Sequence, residues 1–277
     1  MTAAPVFERL AVVGLGLIGG SVALAARAKG AASEVRGVDP DLAEAGDLRL
    51  VPLAEAAAWA DGIVLAVPIE AMDGVLAELA PAIRPEAILT DSASLKAQVA
   101  EAARRHLAAP ERCVGAHPMA GGDVSGFTHA CADLFEGAAC ILTPEGTEPP
   151  EVVDQVEQFW QCLGTFTVRR TPEQHDAITA VLSHAPHLIA YAFARGLPDE
   201  EMLRLAGGGL RDFIRIARAN PRLWSEILLR NRQRVTEEVA KFEKNLGQIL
   251  QALGRGDRDQ LERILREGHQ AVGKLER

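Results

Sequence analysis

The stretch Ala11-Val12-Val13-Gly14-Leu15-Gly16-Leu17-Ile18-Gly19-Gly20 decides the fold of this 277-residue chain. An apolar run, Leu10 to Val13, leads into the glycines, and an alanine-rich stretch from Val22 to Lys29 follows them. Such a strand, turn and helix let the backbone approach a pyrophosphate, which the amides and the dipole at the helix N-terminus stabilise. The motif predicts a dinucleotide site formed by Gly14, Gly16, Leu17, Ile18 and Gly19.

The glycine pattern alone would also fit a tight turn without a ligand, but the next strand strengthens the dinucleotide interpretation. An apolar run, Val35 to Val38, ends at Asp39, 20 residues after Gly19. A carboxylate at this separation typically binds the adenosine ribose, and it would repel the extra phosphate of NADP. Residues 40–42 contain no arginine to accept that phosphate. We therefore expect NAD as the cofactor, with Val67 and Pro68 at the end of a later strand beside it.

Composition limits the class of protein. A chain of this length with 48% hydrophobic residues can bury a large core and is expected to form two domains. No apolar run approaches the roughly 20 residues that a membrane-spanning helix needs, and the N-terminus lacks the features of a signal peptide, so we expect a cytoplasmic protein without a membrane partner. The net charge of −9 argues against nucleic acid as a partner.

The first 170 residues alternate between apolar strands and amphipathic helices, which is typical of a doubly wound parallel sheet. We expect a Rossmann-type NAD-binding domain over residues 1–170. Little room remains between Asp39 and Trp59 for a full crossover, so that connection should be abbreviated. The further predicted strands are Ile63–Val67, Ala87–Thr90, Cys113–Ala116, Ala139–Leu142 and Thr165–Val168, and the further helices are Ala71–Leu79, Leu95–Arg105 and Pro150–Leu163.

After Arg170 the pattern becomes helical, which predicts an all-helical domain over residues 171–277. Thr171-Pro172-Glu173 is a favoured helix start, and Asn220-Pro221 repeats it. From Pro221 we expect one helix to Leu253, about 50 Å long at 1.5 Å per residue. Its broad apolar stripe needs a partner, and few other helices remain to cover it. We therefore expect a homodimer through the C-terminal helices.

Candidate chemistry lies at strand ends and in loops, where open α/β sheets bind their ligands. Ser94 and His117 each follow a predicted strand, so both should face the crevice near the nicotinamide. Ser183-His184-Ala185-Pro186-His187 adds two histidines from the helical domain. Residues 207–217 form a glycine-rich stretch before a helix that carries Asp212 and Arg215 three positions apart.

Taken together, the chain resembles the prephenate dehydrogenase family, which includes arogenate and cyclohexadienyl dehydrogenases. Five motifs occur in the family's order over nearly the whole length: GLGLIGGS, the segment from Asp91 to Lys96, HPMAG at His117, SHAPH ending at His187, and GGGLRDFIRIA with Trp224 downstream. The resemblance implies oxidative decarboxylation of prephenate to 4-hydroxyphenylpyruvate, with hydride transfer to NAD, on the route to tyrosine.

The resemblance implies that His117 is the base or hydrogen-bond acceptor at the ring hydroxyl of the substrate. A neutral imidazole, with a pKa near ~6.5, suits that task at neutral pH. Ser94 would orient the hydroxyl and His117. The alternatives are a histidine that satisfies a carbonyl at the strand end, and a serine that caps the helix starting at Leu95.

Substrate binding requires cations because prephenate has two carboxylates. Arg215 matches the family's guanidinium that grips one of them. The resemblance adds further substrate-binding candidates, namely His187, Gly208, Asp212 and Trp224. Simpler roles stay open: a core histidine that bonds a carbonyl freed by Pro186, an intrahelical pair between Asp212 and Arg215, and a tryptophan packed in the dimer core.

Three positions depart from the family pattern, which often has glycine at Ala93 and a lysine or glutamate near Gly122 and Asp123. We therefore expect the polar gate near the site to differ from that of the family.

The alternative functions are an arogenate or dual-specificity enzyme, a β-hydroxyacid dehydrogenase relative and a non-catalytic NAD sensor. The hydroxyacid enzymes use a lysine from the helical domain, whereas Lys241 and Lys244 lack a glycine-rich approach. A sensor would not need Ser94 and His117 beside the nicotinamide.

Overall fold

The computed structural model describes residues 4–122 and 124–273, and its first part is an eight-stranded sheet. The strand order is β3-β2-β1-β4-β5-β6-β7-β8, and every neighbouring pair is parallel except β6 and β7. This topology confirms the predicted Rossmann-type fold. The strands are β1 Phe7–Val13, β2 Ala32–Val38, β3 Arg49–Leu50, β4 Gly62–Leu65, β5 Ile88–Asp91, β6 Cys113–Pro118, β7 Ala139–Thr143 and β8 Phe166–Arg169.

Helices cover both faces of the sheet and enclose two apolar cores, one around Phe159 and Trp160 and the other around Leu76 and Leu79. The connection between β2 and β3 contains no helix, so the crossover is abbreviated as predicted. The helices of this part are α1 Leu17–Ala28, α2 Leu53–Trp59, α3 Met72–Leu79, α4 Ala97–His106 and α5 Pro150–Cys162.

The second part is helical throughout its described residues. It begins with a capping box, in which the Thr171 hydroxyl accepts from the Gln174 amide and the Gln174 side chain accepts from the Thr171 amide. A π-helical turn, Ala180–His184, separates the first two helices, and a 3₁₀ turn, Arg215–Arg218, follows the fourth. The helices are α6 Pro172–Thr179, α7 Ala185–Ala194, α8 Glu200–Leu203, α9 Gly208–Ile214, α10 Pro221–Arg230, α11 Arg232–Arg255 and α12 Arg258–Val272.

The prediction of one unbroken helix from Pro221 to Leu253 is wrong. The run is interrupted at Asn231, whose backbone leaves the helical region (φ −105°, ψ 21°). The side chain of Asn231 is buried and donates a hydrogen bond to the carbonyl of Asp176 at 2.8 Å. A tertiary contact of this kind overrides helical periodicity, which reports only the apolar face of a segment.

The two C-terminal helices leave apolar side chains exposed in the single chain. Leu250 is 56% and Leu253 60% exposed on α11, and Leu265 is 55% exposed on α12. Large apolar side chains that are exposed in number, where they adjoin, mark an interaction site. The homodimer predicted from the apolar stripe stays a prediction.

By length and composition, the helical run of residues 172–194 could cross a membrane, with a mean hydropathy of 1.3. The expectation that no apolar run approaches this length is therefore wrong. A single such helix is weak evidence of a span, because core helices pass the same test. This one carries the buried side chains of His175, Asp176 and His184, and Asp176 bonds to the backbone of α4.

Candidate active site

The glycines of the first turn serve two different purposes. Gly14 has φ +86°, and a Cβ there would lie 2.6 Å from the carbonyl oxygen of Ala66. A Cβ on Gly19 would lie 1.8 Å from the carbonyl oxygen of Gly14. Nothing lies within 4 Å of a Cβ built on Gly16. Gly14 and Gly19 are therefore required for packing, whereas Gly16 keeps a space open in front of α1.

The amides beside that space are available to a ligand. The first backbone bond inside α1 runs from the Gly20 amide to the Gly16 carbonyl at 2.9 Å, so the amides of Leu17, Ile18 and Gly19 lie outside the helical ladder. Positive charge from the helix dipole adds to these donors. The turn can accept a pyrophosphate without rearrangement.

Asp39 closes the other side of this site and also supports the turn. Its Oδ2 accepts from the Leu15 amide at 2.8 Å, and its Oδ1 accepts from the Asp41 amide at 3.0 Å. A cavity of about 710 Å³ borders Asp39 and includes Gly14, Val67 and Pro68 in its lining. The residues fit the adenosine half of NAD, and a second role for Asp39 as a brace of the glycine turn was not predicted.

A second cavity, of about 370 Å³, lies between the sheet and the helical part. We refer to it as the interdomain cavity. It brings together five of the predicted site residues, Ser94, His117, His187, Arg215 and Trp224. Gly208 and Asp212 lie on exposed α9 and do not line it. Within residues 4–122 and 124–273, no ion pair joins Asp212 to Arg215.

His117 is backed by a chain of buried polar groups. Its Nδ1 lies 2.8 Å from Nε2 of His175, whose Nδ1 lies 2.8 Å from Oδ1 of Asp176. A carboxylate only accepts, so His175 carries its proton on Nδ1 and offers Nε2 as an acceptor. His117 therefore donates from Nδ1, and its own Nε2 is left as an acceptor. We call this arrangement the His117–His175–Asp176 chain.

The surroundings keep both histidines neutral. Burial lowers the pKa of His117 well below its usual value, and His175, Lys96 and His184 act in the same direction. Burial also lowers the pKa of His175, and this effect outweighs the hydrogen bond to Asp176. Burial alone would raise the pKa of Asp176, but the bonds from His175 and from the amides of Lys96 and Ala97 bring it below the usual value. The chain is thus a carboxylate followed by two neutral imidazoles.

Ser94 is half-buried at the interdomain cavity, and the alternative that it caps the following helix is wrong. The helix after it begins at Ala97 rather than Leu95, so Ser94 is not its cap. The first amides of that helix, those of Lys96 and Ala97, donate instead to Asp176 at 2.8 and 3.1 Å. Nδ1 of His117 is occupied by His175, which leaves only Nε2 for an interaction that involves Ser94.

A buried ion pair lies behind His117. Lys96 and Asp91 have side chains with no exposed surface, and Lys96 Nζ donates to Asp91 Oδ1 and, at 2.6 Å, to the carbonyl oxygen of Ala116. Asp91 Oδ1 also accepts from the Ala93 amide at 2.8 Å. The pair therefore fixes the residue that precedes His117. The sequence motif contained Asp91 and Lys96, but nothing in it indicated this pairing.

Aromatic stacking positions the second histidine motif. His187 lies against Trp224 with ring centroids 3.6 Å apart and an interplanar angle of 17°. Its Nδ1 lies 2.8 Å from the carbonyl oxygen of Ser183, in the π-helical turn before Pro186. The bond to a freed carbonyl, which was the simpler alternative for His187, is thus present, and the ring also lines the cavity.

Sequence reasoning missed His175 and Asp176 as parts of the site, and it gave His184 no role of its own. The sequence feature that could have indicated them is the adjacent pair His175-Asp176 in the first turns of a capped helix. If such a pair is buried, its polar atoms need hydrogen-bond partners from other elements. Of the departures from the family pattern, Ala93 is buried and Gly122 lines the interdomain cavity. Asp123 lies outside the described residues.

Known proteins resemble this chain over most of its length. The family model for the nucleotide-binding domain of prephenate dehydrogenase matches residues 22–168, and the model for its dimerization domain matches residues 171–267. Prephenate dehydrogenase of Bacillus subtilis (strain 168) is 32% identical over 273 residues, which are 94% of this chain and 74% of that protein. Cyclohexadienyl dehydrogenase of Zymomonas mobilis is 32% identical over 281 residues, 96% of this chain and 95% of that protein.

A solved structure with a similar fold is that of prephenate dehydrogenase from A. aeolicus in complex with hydroxyphenyl propionate and NAD+. The two chains are 27% identical and superpose with a TM-score of 0.89, over 97% of this chain and 98% of the other. The similarity thus extends over both parts of the molecule.

The two kinds of glycine predict different outcomes when alanine replaces them. Gly16→Ala should leave the melting temperature nearly unchanged but weaken NAD binding at least tenfold, because its methyl group enters the open space before α1. Gly19→Ala should destabilise the fold by about 1–3 kcal/mol through overpacking against Gly14. Thermal melts and calorimetric NAD titrations measure both effects. Unchanged NAD affinity in the Gly16 variant would contradict this assignment.

Proposed function

Because the chain belongs to the prephenate dehydrogenase family, we propose that it catalyses the oxidative decarboxylation of prephenate to 4-hydroxyphenylpyruvate with NAD as oxidant. One observation carries the proposal. The interdomain cavity combines an acceptor nitrogen on His117 with the cation of Arg215, and it opens at the carboxyl end of β6. An acid with a reactive hydroxyl requires both groups.

His117 would act at the ring hydroxyl of the substrate. Its Nε2 accepts the hydroxyl hydrogen bond and takes up positive charge as the ring carbon loses its hydride. The proton returns to the ring oxygen as the carboxylate leaves as carbon dioxide, so no proton is released overall. Asp176 stabilises the charge that builds on His117, and it acts through His175. The distance is 2.8 Å from His117 Nδ1 to His175 Nε2 and 2.8 Å from His175 Nδ1 to Asp176 Oδ1.

NAD, when bound, supplies the hydride acceptor. Gly16, Leu17 and Ile18 would hold its pyrophosphate, and Asp39 would hold its adenosine ribose. Ser94, half-buried at the same cavity, would orient the substrate hydroxyl toward His117.

The charges in the cavity favour prephenate over arogenate, in which an ammonium replaces the side-chain keto group. Arg215 lines the cavity, and none of the described lining residues is acidic. A guanidinium attracts a carboxylate and repels an ammonium. Dual specificity is the alternative outcome of the assay below.

We also propose a homodimer. The dimerization-domain match covers residues 171–267, and the exposed apolar side chains of α11 and α12 lie within it. We divide the chain at residue 170 into an NAD-binding domain and a helical substrate-binding and dimerisation domain. Sedimentation of the purified protein tests the dimer directly.

The proposed reaction is tested by NADH formation at 340 nm with prephenate and arogenate, each offered with NAD and with NADP. We expect turnover with prephenate and NAD, and preference for NAD over NADP because of Asp39. Turnover of arogenate alone would change the substrate and keep the mechanism. Tight NAD binding without turnover of either acid would instead favour a sensor.

His117→Asn should lower kcat by ~100- to 10,000-fold while NAD affinity stays within twofold, because the imidazole acceptor is lost and the cofactor turn is untouched. Steady-state kinetics and calorimetric NAD titration measure the two effects.

In the wild type, His117 acts in its neutral form. Since burial lowers its pKa, kcat/KM should fall with acidification only well below pH ~6.5. A pH profile with its acidic limb at or above that value would contradict the neutral, buried His117.

Arg215→Gln should raise the KM for prephenate by roughly 10- to 100-fold, because a charged hydrogen bond to a carboxylate is lost. Arg218→Gln is the matched control, since Arg218 ends the same 3₁₀ turn but does not line the cavity. Steady-state kinetics with varied prephenate and saturating NAD distinguish the two. Equal effects of both substitutions would remove Arg215 from the substrate site.

A further inference from the structure

Asn231 is a buried amide at the break between α10 and α11, and it is only 3% exposed. Its Nδ2 lies 2.8 Å from the carbonyl oxygen of Asp176 and 3.1 Å from Nδ1 of His184. It therefore contacts both the His117–His175–Asp176 chain and a histidine of the interdomain cavity. Nothing in the proposed reaction has yet used it.

The carbonyl of Asp176 fixes the orientation of the Asn231 amide. A carbonyl oxygen only accepts, so the amide nitrogen must face it, and a flipped amide would set two oxygens against each other. The same nitrogen has a second hydrogen, which points to His184. Nδ1 of His184 is therefore an acceptor, and a neutral ring then carries its proton on Nε2.

His184 meets the requirements of a neutral donor. It is 1% exposed and lines the interdomain cavity. Burial lowers its pKa to about 4, against the opposing effect of Asp176, with smaller contributions from His175 and His187. Nε2 has no hydrogen-bond partner among the described residues. Among the described residues, the side-chain atom that is both buried from solvent and without a hydrogen-bond partner is Asp91 Oδ2. Since Nε2 of His184 also lacks a partner there, it must be accessible, and the cavity that His184 lines is where it is accessible.

We propose that His184 donates a hydrogen bond from Nε2 to an oxygen of the bound substrate, and that Asn231 is the positioning residue that holds the ring in this tautomer. The proposal rests on the proposed function for the identity of the substrate. A neutral donor in the cavity that Arg215 also lines suits a carboxylate or keto oxygen and gives nothing to an ammonium. Arogenate shares both carboxylates with prephenate, so the two residues contribute to selection of the keto acid where the acceptor is the keto oxygen.

Two substitutions at His184 separate donation from packing. The amide nitrogen of His184→Gln can occupy the place of Nε2, whereas that of His184→Asn can only reach the place of Nδ1. We expect the Asn variant to raise the KM for prephenate about tenfold with little change in the KM for NAD, and the Gln variant to stay within about threefold of the wild type. Equal KM values for both variants and the wild type would overturn the proposal.

Asn231→Asp reverses the hydrogen bond to His184, loses the bond to the Asp176 carbonyl, and creates a pH dependence of the KM for prephenate that the wild type lacks. The carboxylate raises the pKa of His184 and favours a proton on Nδ1. Below that pKa the imidazolium still donates from Nε2, but above it Nε2 becomes an acceptor. The KM for prephenate should therefore rise at least fivefold with pH in this variant. The other groups that act on His184 are Asp176, His175 and His187, and they are unchanged between the two proteins.

The matched control is Asn220→Asp, which adds the same charge at the opposite end of α10. Asn220 is exposed and caps α10 by accepting from the Arg222 amide at 2.9 Å, a bond that aspartate also makes. Its KM should follow the wild type at every pH. A pH-dependent rise in the control as well would assign the effect to general charge and overturn the proposal.

Nitrogen-15 NMR of the histidine rings in the ligand-free protein gives a measurement that does not depend on activity. The His184 signals, assigned by their loss in His184→Gln, should show a protonated Nε2 and an unprotonated Nδ1 at neutral pH, and the reverse in Asn231→Asp. A protonated Nδ1 in the wild type would overturn the role of Asn231 even if prephenate is turned over. Conversely, the expected tautomer in a protein without turnover would leave Asn231 in place and reject the proposed function.

Discussion

The carboxylate of Asp176 joins the two parts of this protein. Its oxygens accept from the amides of Lys96 and Ala97 at the start of α4, and from the ring of His175 beside it. A helix N-terminus provides free amides and positive charge, which offset the cost of burying an anion that is only 4% exposed. Since α4 follows the loop with Ser94, this contact sets the separation between that loop and the helical domain, and so the width of the cavity.

The ion pair of Asp91 and Lys96 constrains the same region from the sheet side. Burying both charges costs free energy, and only a close contact between them with further hydrogen bonds can offset that cost. Gly115 provides the room, because a Cβ there would lie 2.4 Å from the Thr143 hydroxyl and 3.3 Å from Asp91 Oδ2. The ion pair fixes the position of the backbone, because Lys96 donates to the carbonyl of Ala116, directly before His117. The same cation helps to keep His117 neutral.

The parts of the fold that could be predicted are those with a local cause. The glycine turn at Gly14 and the abbreviated crossover after Asp39 follow from spacing, and the capped start at Thr171 follows from side-chain chemistry. The break at Asn231 could not be predicted, because a contact with Asp176 that spans 55 positions decides it. For the same reason the sequence indicated that Ser94 and His117 lie near each other but not that His175 takes the bond to His117.

In the proposed reaction, neutral histidines explain how a site for a dianionic substrate could also accept positive charge. If His117 were an imidazolium, it would bind the substrate more tightly but could not accept the hydroxyl proton as hydride leaves. Burial prevents this, and it acts on His184 as well. Attraction for the substrate carboxylates would then fall to Arg215, which lies on the exposed 3₁₀ turn where water stabilises its charge. In the proposed reaction the site would therefore separate binding from proton acceptance: Arg215 and the His184 donor would hold the substrate, while the neutral ring of His117 would take up charge only as it develops in the transition state.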